Sequence, residues 1–280
     1  MDVLQNRQMW NDSYQWESQR GNEWSSPWGS VEMEWDFTVF PRIRSFVPAG
    51  TILEIAPGFG RWTQFLAGLC KELVVVDLSE KCIEACKKRF RAFNHVAYHI
   101  NDGKSLDMIP DESIDFVFSF DSLVHADEHV IESYLHQLSC KLKKGGAGFI
   151  HHSNAGQYET YFSIIDKIPD GSMKYWLVNF KLIDPWWHWH DYSMTAGKFK
   201  LFAEQAGLSC LSQEMINWVA TKKLIGCFSI FMRSAGGTEL STRILRNKGF
   251  RQEISYARRL AELYGKRKPK FGNYENPVNF

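Results

Sequence analysis

The fold is decided by residues 52–66, ILEIAPGFGRWTQFL. Four residues of apolar strand character run into a turn with two glycines, and an amphipathic stretch follows. Glycines at such a turn let the backbone approach a ligand and adopt dihedrals that other residues resist. Working outward, the same strand-turn-helix order repeats. Thr51 to Ala56 reads as a strand and Arg61 to Cys70 as a helix. Glu72 to Leu78 is an apolar strand ending in Asp77, and Ser79 caps a helix that continues to about Phe93. His95 to Asn101 and Ile114 to Phe120 are further strands, Asp127 to Leu142 is a helix, and Ala147 to His152 is a fifth strand. Unbroken alternation of this kind predicts a doubly wound, mostly parallel sheet with right-handed crossovers.

Four strand ends carry polar residues that would converge on one crevice. The turn holds Glu54, Gly58 and Gly60, and Asp77 ends the next strand, where a carboxylate can accept both hydroxyls of a ribose. Asn101-Asp102-Gly103 ends the third strand, with Asp102 placed to meet an adenine amino group. Phe120-Asp121 ends the fourth. Each has a plainer explanation, since Asp77 can be a helix cap and Asn101-Asp102-Gly103 an ordinary turn. The ordered set is the argument.

These runs, with VVVDLSE (74–80), DFVFSFDSLVHAD (115–127) and LKKGGAGFIHHSN (142–154), resemble class I S-adenosylmethionine-dependent methyltransferases. The resemblance covers residues 48–154 and extends through 190–233, where HDYSMTAGKFKLFAEQAGLSCLSQEMINW and CFSIF resemble that fold's closing helix and strands. It implies a seven-stranded Rossmann-like sheet with one antiparallel strand. The implied cofactor is S-adenosylmethionine, with S-adenosylhomocysteine as product. Carried over by position, the cofactor residues are Glu54, Ala56, Gly58, Gly60, Trp62, Asp77, Leu78, Asp102, Gly103, Phe120 and Asp121. The chain departs from the family at Ala56-Pro57, where a first glycine is usual, and Glu54 is expected to orient the loop. Within the superfamily the likeness leans towards bacterial O-methyltransferases of sugars and natural products.

The expected organisation is a cap over residues 1–47, a cofactor-binding domain over 48–235 with an acceptor-site insertion at about 155–192, and a basic helix and tail over 236–280. Aromatic residues make up 15% of the chain, including 11 Trp, many of them near 10–35 and 176–189. Such clusters either fill a core or stack on flat, sugar-like ligands. Tyr14, Trp24, Trp28, Trp186 and His188 are therefore the expected acceptor-binding residues, with Trp187 and Trp189 beside them. For most of the tryptophans simple packing is the expectation.

An alcohol needs its proton removed before it attacks a methyl, and histidine suits that role near neutral pH. His125, after the fourth strand, is the first choice and His152 the second; His151 and His152 alternate, so only one faces the crevice. A metal held by Asp121, His152, His188 and His190 is an alternative, although nothing in their spacing is diagnostic, and metal-free base catalysis is preferred. The leading activity is O-methylation of a small polar acceptor. An N-methyltransferase and a non-catalytic cofactor-binding module are the alternatives. A dehydrogenase would want a third spaced glycine where Thr63 stands.

The net charge of +1 gives no global field for nucleic acid, and strand four ends in FDSL rather than a DNA amino-methylating motif. From Ser241 to Phe280 there are ten Lys and Arg against three Glu, and Arg243, Arg246, Arg258 and Arg259 are expected on one face or end of a closing helix. That helix and tail offer a surface for a second subunit. Six Cys lack zinc-like pairing, Met1 to Arg20 has no apolar leader core, and no run is long enough to span a bilayer, so a cytoplasmic protein is expected.

Overall fold

The computed structural model describes residues 2–16, 20–169, 171–180, 182–183, 189–218, 222–234 and 241–265. Its strands are β1 (Ala49–Ile55), β2 (Cys70–Asp77), β3 (Val96–Ile100), β4 (Ile114–Ser119), β5 (Leu142–Ser153), β6 (Leu208–Ile216), β7 (Gly226–Arg233) and β8 (Arg243–Arg246). The α-helices are α1 (Val3–Gln8), α2 (Val31–Glu34), α3 (Phe40–Ile43), α4 (Thr63–Leu66), α5 (Glu80–Arg89), α6 (Glu128–Lys141), α7 (Glu159–Asp166), α8 (Ser172–Asn179), α9 (Ala196–Gln205) and α10 (Phe250–Tyr264).

One sheet runs in the order β3-β2-β1-β4-β5-β7-β6-β8. β7 is antiparallel to both β5 and β6, and the other pairings are parallel. Leu53, Val76, Val117 and Ile150 pack on one face, and Ile52, Val75, Phe116 and Phe149 on the other. Burial on both faces is why the inner strands are continuous apolar runs.

Among the described residues the sheet has eight strands, not the seven expected. Arg243–Arg246 adds in parallel to the edge of β6, with Ser212 opposite Arg243 and Met215 opposite Arg246. Four exposed residues, two of them Arg, give no apolar alternation from which to read a strand. The basic residues are accordingly split: Arg243 and Arg246 lie on β8, whereas Arg258 and Arg259 lie on α10. The chain turns between them at Asn247, whose side-chain amide donates to Glu214 and Glu253 at 2.7 and 2.6 Å. Arg42 grips both Glu214 oxygens at 2.7 Å and also Glu253 at 3.1 Å, fastening α3 to β6 and α10.

The N-terminal 47 residues do two separate jobs. Residues 22–43 are core: Trp28, Trp35, Val39 and Ile43 are buried against Phe116, Phe149 and Phe228 of the sheet and Phe250 of α10. Residues 2–16 instead lie across the C-terminal ends of the strands, as the contacts below establish. The opposite face is covered by α6 and α9 through Tyr134, Leu135, Leu138, Phe199 and Ala203. Among the described residues, no helix is long and apolar enough to cross a membrane.

Candidate active site

The turn after β1 is held from three sides. Ala56 N–H donates to Val76 O at 2.7 Å, Ser122 Oγ donates to Ala56 O at 2.7 Å, and Arg89 donates to Phe59 O at 2.9 Å. Ala56 sits at φ +58°, the left-handed region that the family's usual glycine enters without strain. At Gly60 (φ +79°) a Cβ would stand 2.3 Å from Phe90, so glycine alone lets α5 close against the loop. Beneath it the buried Glu54 accepts from Thr63 Oγ1 at 2.6 Å, tying the end of β1 to the start of α4. Burial pushes the Glu54 carboxyl up to about 8.

Asp77 ends β2 with one oxygen accepting from Gly58 N–H at 3.2 Å and the other from Ser79 N–H at 2.8 Å. Desolvation raises its pKa to about 6, against the pull of those amides. A carboxylate has about four acceptor positions, so two remain for a pair of vicinal hydroxyls. At the end of β3, Asp102 Oδ1 accepts from Lys104 and Ser105 N–H, closing its own turn. Asn101 is the buried member, donating to Tyr134 Oη at 3.0 Å and accepting from Gly103 N–H at 3.0 Å. Leu78 and Val3 flank Gly103. These groups fit an adenosine: a carboxylate for the ribose, an exposed Asp102 beside it, and an open-backbone turn for the amino-acid end.

The N-terminal arm closes this edge. Asn11 accepts from Ser79 Oγ at 3.0 Å, and Trp16 stacks on Phe59 with ring centres 4.9 Å apart and lies over Gly58. Trp10 contacts Trp16, Tyr14 and the ring of His125, and Asn6 donates to His125 O at 3.2 Å. Tyr14 donates to the Glu23 carboxylate and faces Trp24, whose ring in turn meets Trp189. Burial and the neighbouring Glu23 charge raise the Tyr14 phenol.

His125 is buried at this junction, and its Nδ1 meets Trp189 O. A carbonyl only accepts, so the proton sits on Nδ1, and in the neutral ring Nε2 carries the lone pair. The strap supplying that carbonyl is fixed by Asp191, whose N–H donates to Val124 O at 2.9 Å and whose O accepts from Ser153 Oγ at 2.6 Å.

The second histidine is placed differently from expectation. His152 points to the α9 side, its ring stacked on Phe199 at 4.3 Å, with Nδ1 on Ser153 O and Nε2 on Ser229 Oγ, both at 2.8 Å. Both nitrogens are used in the core, and burial lowers its pKa to about 4. Strand alternation turns His151 to the other face, beside Phe120, Trp218 and Phe228. The metal set of Asp121, His152, His188 and His190 cannot close on one ion, because His152 lies across the sheet from Asp121. Among the described residues no group of three His, Cys, Asp or Glu side chains is arranged to hold a metal.

Two further expectations change. Trp62 and Phe120 are core residues: Trp62 packs on Trp35 and meets Phe120 edge-on at 5.3 Å. Trp28 is fully buried and donates to Thr38 Oγ1 at 2.7 Å, so its role is packing rather than acceptor binding. Trp186, Trp187 and His188 lie outside the described residues.

The sequence reading passed over Arg61 and Glu34. Arg61 donates to Asp121 Oδ2 at 2.5 Å, lies 3.8 Å from Glu34, and covers the Trp62 ring at 4.6 Å. Asp121 takes φ +61°, held there by that ion pair. Glu34 is wholly buried and pushed up to about 8. Arg61 was legible as a cation directly after the glycine turn, whereas Glu34 carries no local signal in its aromatic surroundings.

Residues 52–146 match the family described as Methyltransferase domain. Over 117 residues the chain is 29% identical to phosphoethanolamine N-methyltransferase 3 of Arabidopsis thaliana, an overlap of 40% of this chain and 24% of that protein. The chain thus spans about a quarter of that curated relative's length. An S-adenosylmethionine-dependent methyltransferase of Clostridium acetobutylicum superposes with a TM-score of 0.52 at 14% identity, over 73% of this chain and 92% of that one. A SAM-dependent methyltransferase of Methanosarcina mazei gives 0.50 at 15% identity, over 70% and 98%. The fold is the Rossmann-like α/β fold of these methyltransferases, with an added edge strand.

Proposed function

We propose that this chain is an S-adenosylmethionine-dependent methyltransferase that methylates a hydroxyl of a small polar acceptor, with a sugar as the leading class. The observation that carries the reading is the pairing of two features on one sheet edge. Asp77, gripped by two backbone amides, suits the cofactor's ribose, and His125 has its lone pair on Nε2. When bound, the cofactor supplies a methyl on a cationic sulfur, already a good leaving group. The protein must therefore align the acceptor and take its proton. His125 Nε2 would take the proton of the acceptor hydroxyl as that oxygen is methylated. Trp10 and Trp24 close the acceptor side, and the Gly58–Gly60 turn, packed between Trp16 and Phe90, would carry the methionine part on its backbone. Asp102 would approach the adenine, and the Arg61–Asp121 pair would line the crevice beside the acceptor.

A second reading, transfer to an amine, is favoured by the relative named as a phosphoethanolamine N-methyltransferase. An amine that is already deprotonated needs no base. Labelled methyl transfer to glycosides and to ethanolamine, with wild type and His125→Ala, separates the two. Hydroxyl transfer should fall by about 10²- to 10⁴-fold on losing the base. Unchanged turnover in His125→Ala, or label in ethanolamine alone, would move the assignment to the amine.

A further inference from the structure

His151 was not a residue the sequence reading chose, and its surroundings are unusual. It is fully buried at the end of β5, stacked against Trp218 with ring centres 5.7 Å apart and edge-on to Phe228 at 4.8 Å. The backbone N–H of Asp121 donates to its Nδ1 at 3.3 Å. A backbone N–H has no acceptor capacity, so Nδ1 is unprotonated and the ring hydrogen sits on Nε2. Among the described residues nothing accepts from that Nε2. The indole N–H of the stacked Trp218 is likewise buried without an acceptor. An unmade hydrogen bond at a buried donor is a standing penalty, and such a group calls for an explanation, of which a bound ligand is one.

The backbone shape agrees. Gly226 begins β7 opposite Ser153, and a Cβ on it would stand 3.0 Å from His151 Nε2. Glycine at that position keeps a side chain from crowding the donor where β5 ends and β7 begins. Burial above all, with His190, His152, His125 and Arg61 nearby, disfavours its protonated form and holds it well below the ordinary histidine range.

Resting on the transferase reading above, we propose that His151 binds the acceptor, donating from Nε2 to an acceptor oxygen, with the Trp218 N–H as a second donor. The two histidines are then opposite tautomers set by the backbone: His125 accepts the acceptor's proton through Nε2, and His151 donates to a lone pair through Nε2. Two neutral donors on a stacked aromatic plane suit an uncharged, oxygen-rich group such as a glycoside.

The test has two arms. In full-length protein with histidine labelled by ¹⁵N, the tautomer of each ring is read by NMR, and His151 is assigned by the signals lost in His151→Gln. The expected signature is a neutral Nε2–H ring; an Nδ1–H ring or an imidazolium at neutral pH overturns the proposal. In the second arm, labelled methyl transfer to methyl α-glucoside is followed for wild type, His151→Gln and His151→Phe, with thermal unfolding as a fold check. Gln keeps a donor near the Nε2 position, so it should stay within about fivefold of wild type. Phe should lose about 10- to 100-fold in kcat/KM for the glucoside while the KM for S-adenosylmethionine stays unchanged. A folded His151→Phe with wild-type turnover overturns the proposal. Wild type that transfers nothing to the glucoside counts against the transferase reading for sugars, and the tautomer arm then decides His151 alone.

Discussion

Replacing Asp77 by Asn should separate cofactor binding from stability in a way that few substitutions can. Each oxygen of Asp77 accepts one backbone N–H, from Gly58 at 3.2 Å and Ser79 at 2.8 Å, which leaves one further acceptor position apiece for a ribose diol. Hydrogen bonds to a charged acceptor contribute about 1.5–3 kcal/mol each. Asn keeps one acceptor oxygen and offers an N–H to the other hydroxyl, so the net loss should be about 2–3 kcal/mol, or roughly 30- to 100-fold weaker binding. Stability should move the other way. Burial raises the carboxyl from 3.8 to about 6, so folding disfavours its ionised form. The sign follows: stability from this group is fully present when it is protonated and is lost as pH rises past about 6. At neutral pH the loss is up to about 3 kcal/mol, which Asn removes. Part of that gain is lost again, because the Asn amide must face one of the two backbone N–H groups. Unliganded Asp77→Asn should therefore be as stable as wild type or up to about 2 kcal/mol more so. Calorimetric titration with S-adenosylhomocysteine, alongside urea unfolding without it, checks both halves. Affinity within threefold of wild type would refute the ribose role, and weaker binding accompanied by a comparable loss of stability would reduce it to a folding effect.

Gly60→Ala should destabilise the protein by about 3 kcal/mol in urea unfolding, through a left-handed φ and a Cβ 2.3 Å from Phe90. A change under about 1 kcal/mol would mean that α5 shifts freely. Ala56→Gly should do the reverse, gaining up to about 1 kcal/mol by relieving φ +58°, and a clear loss would show that this position carries no strain. Stability should also fall between pH 6.5 and about 8 by about 3 kcal/mol, because Glu34 and Glu54 both titrate near 8 in the fold and so hold protons that the unfolded chain has already lost. Below about 6.5 His152, lowered to about 4, acts in the opposite sense, so the upper window is the clean one. Glu34→Gln should remove roughly half the slope in urea midpoints, and a rise in stability across the window would contradict the assignment.

Much of the fold was legible because its signals are local. Val74 to Asp77 and Phe116 to Ser119 each read as an apolar run ending in a polar residue, and Ile52 to Ile55 as an apolar run broken only by the buried Glu54. Asp77 could be placed from sequence because a strand end and the Ser79 cap lie within two residues of it. What was missed depends on long-range geometry. The choice between His151 and His152 is a matter of strand phase, fixed by whether β5 packs Phe199 or Phe228 beneath it. β8 is placed by its pairing with the distant β6 and by Asn247, which ties the turn after it to Glu214 and Glu253. Arg61 and Glu34 meet across the core, and nothing near either residue in sequence announces the partner. The tryptophans divided similarly: Trp28 and Trp35 went to the core, while Trp10 and Trp16 went to the arm, and composition treats all four alike.

The most direct test of the central claim is transfer of labelled methyl from S-adenosylmethionine to a panel of glycosides, nucleotide sugars and small amines, with and without chelator. Label is expected on a hydroxyl oxygen, insensitive to chelator, strongly reduced in His125→Ala and reduced in Asp77→Asn at limiting cofactor. Label confined to amines, or no label in a protein that binds the cofactor, would contradict the claim.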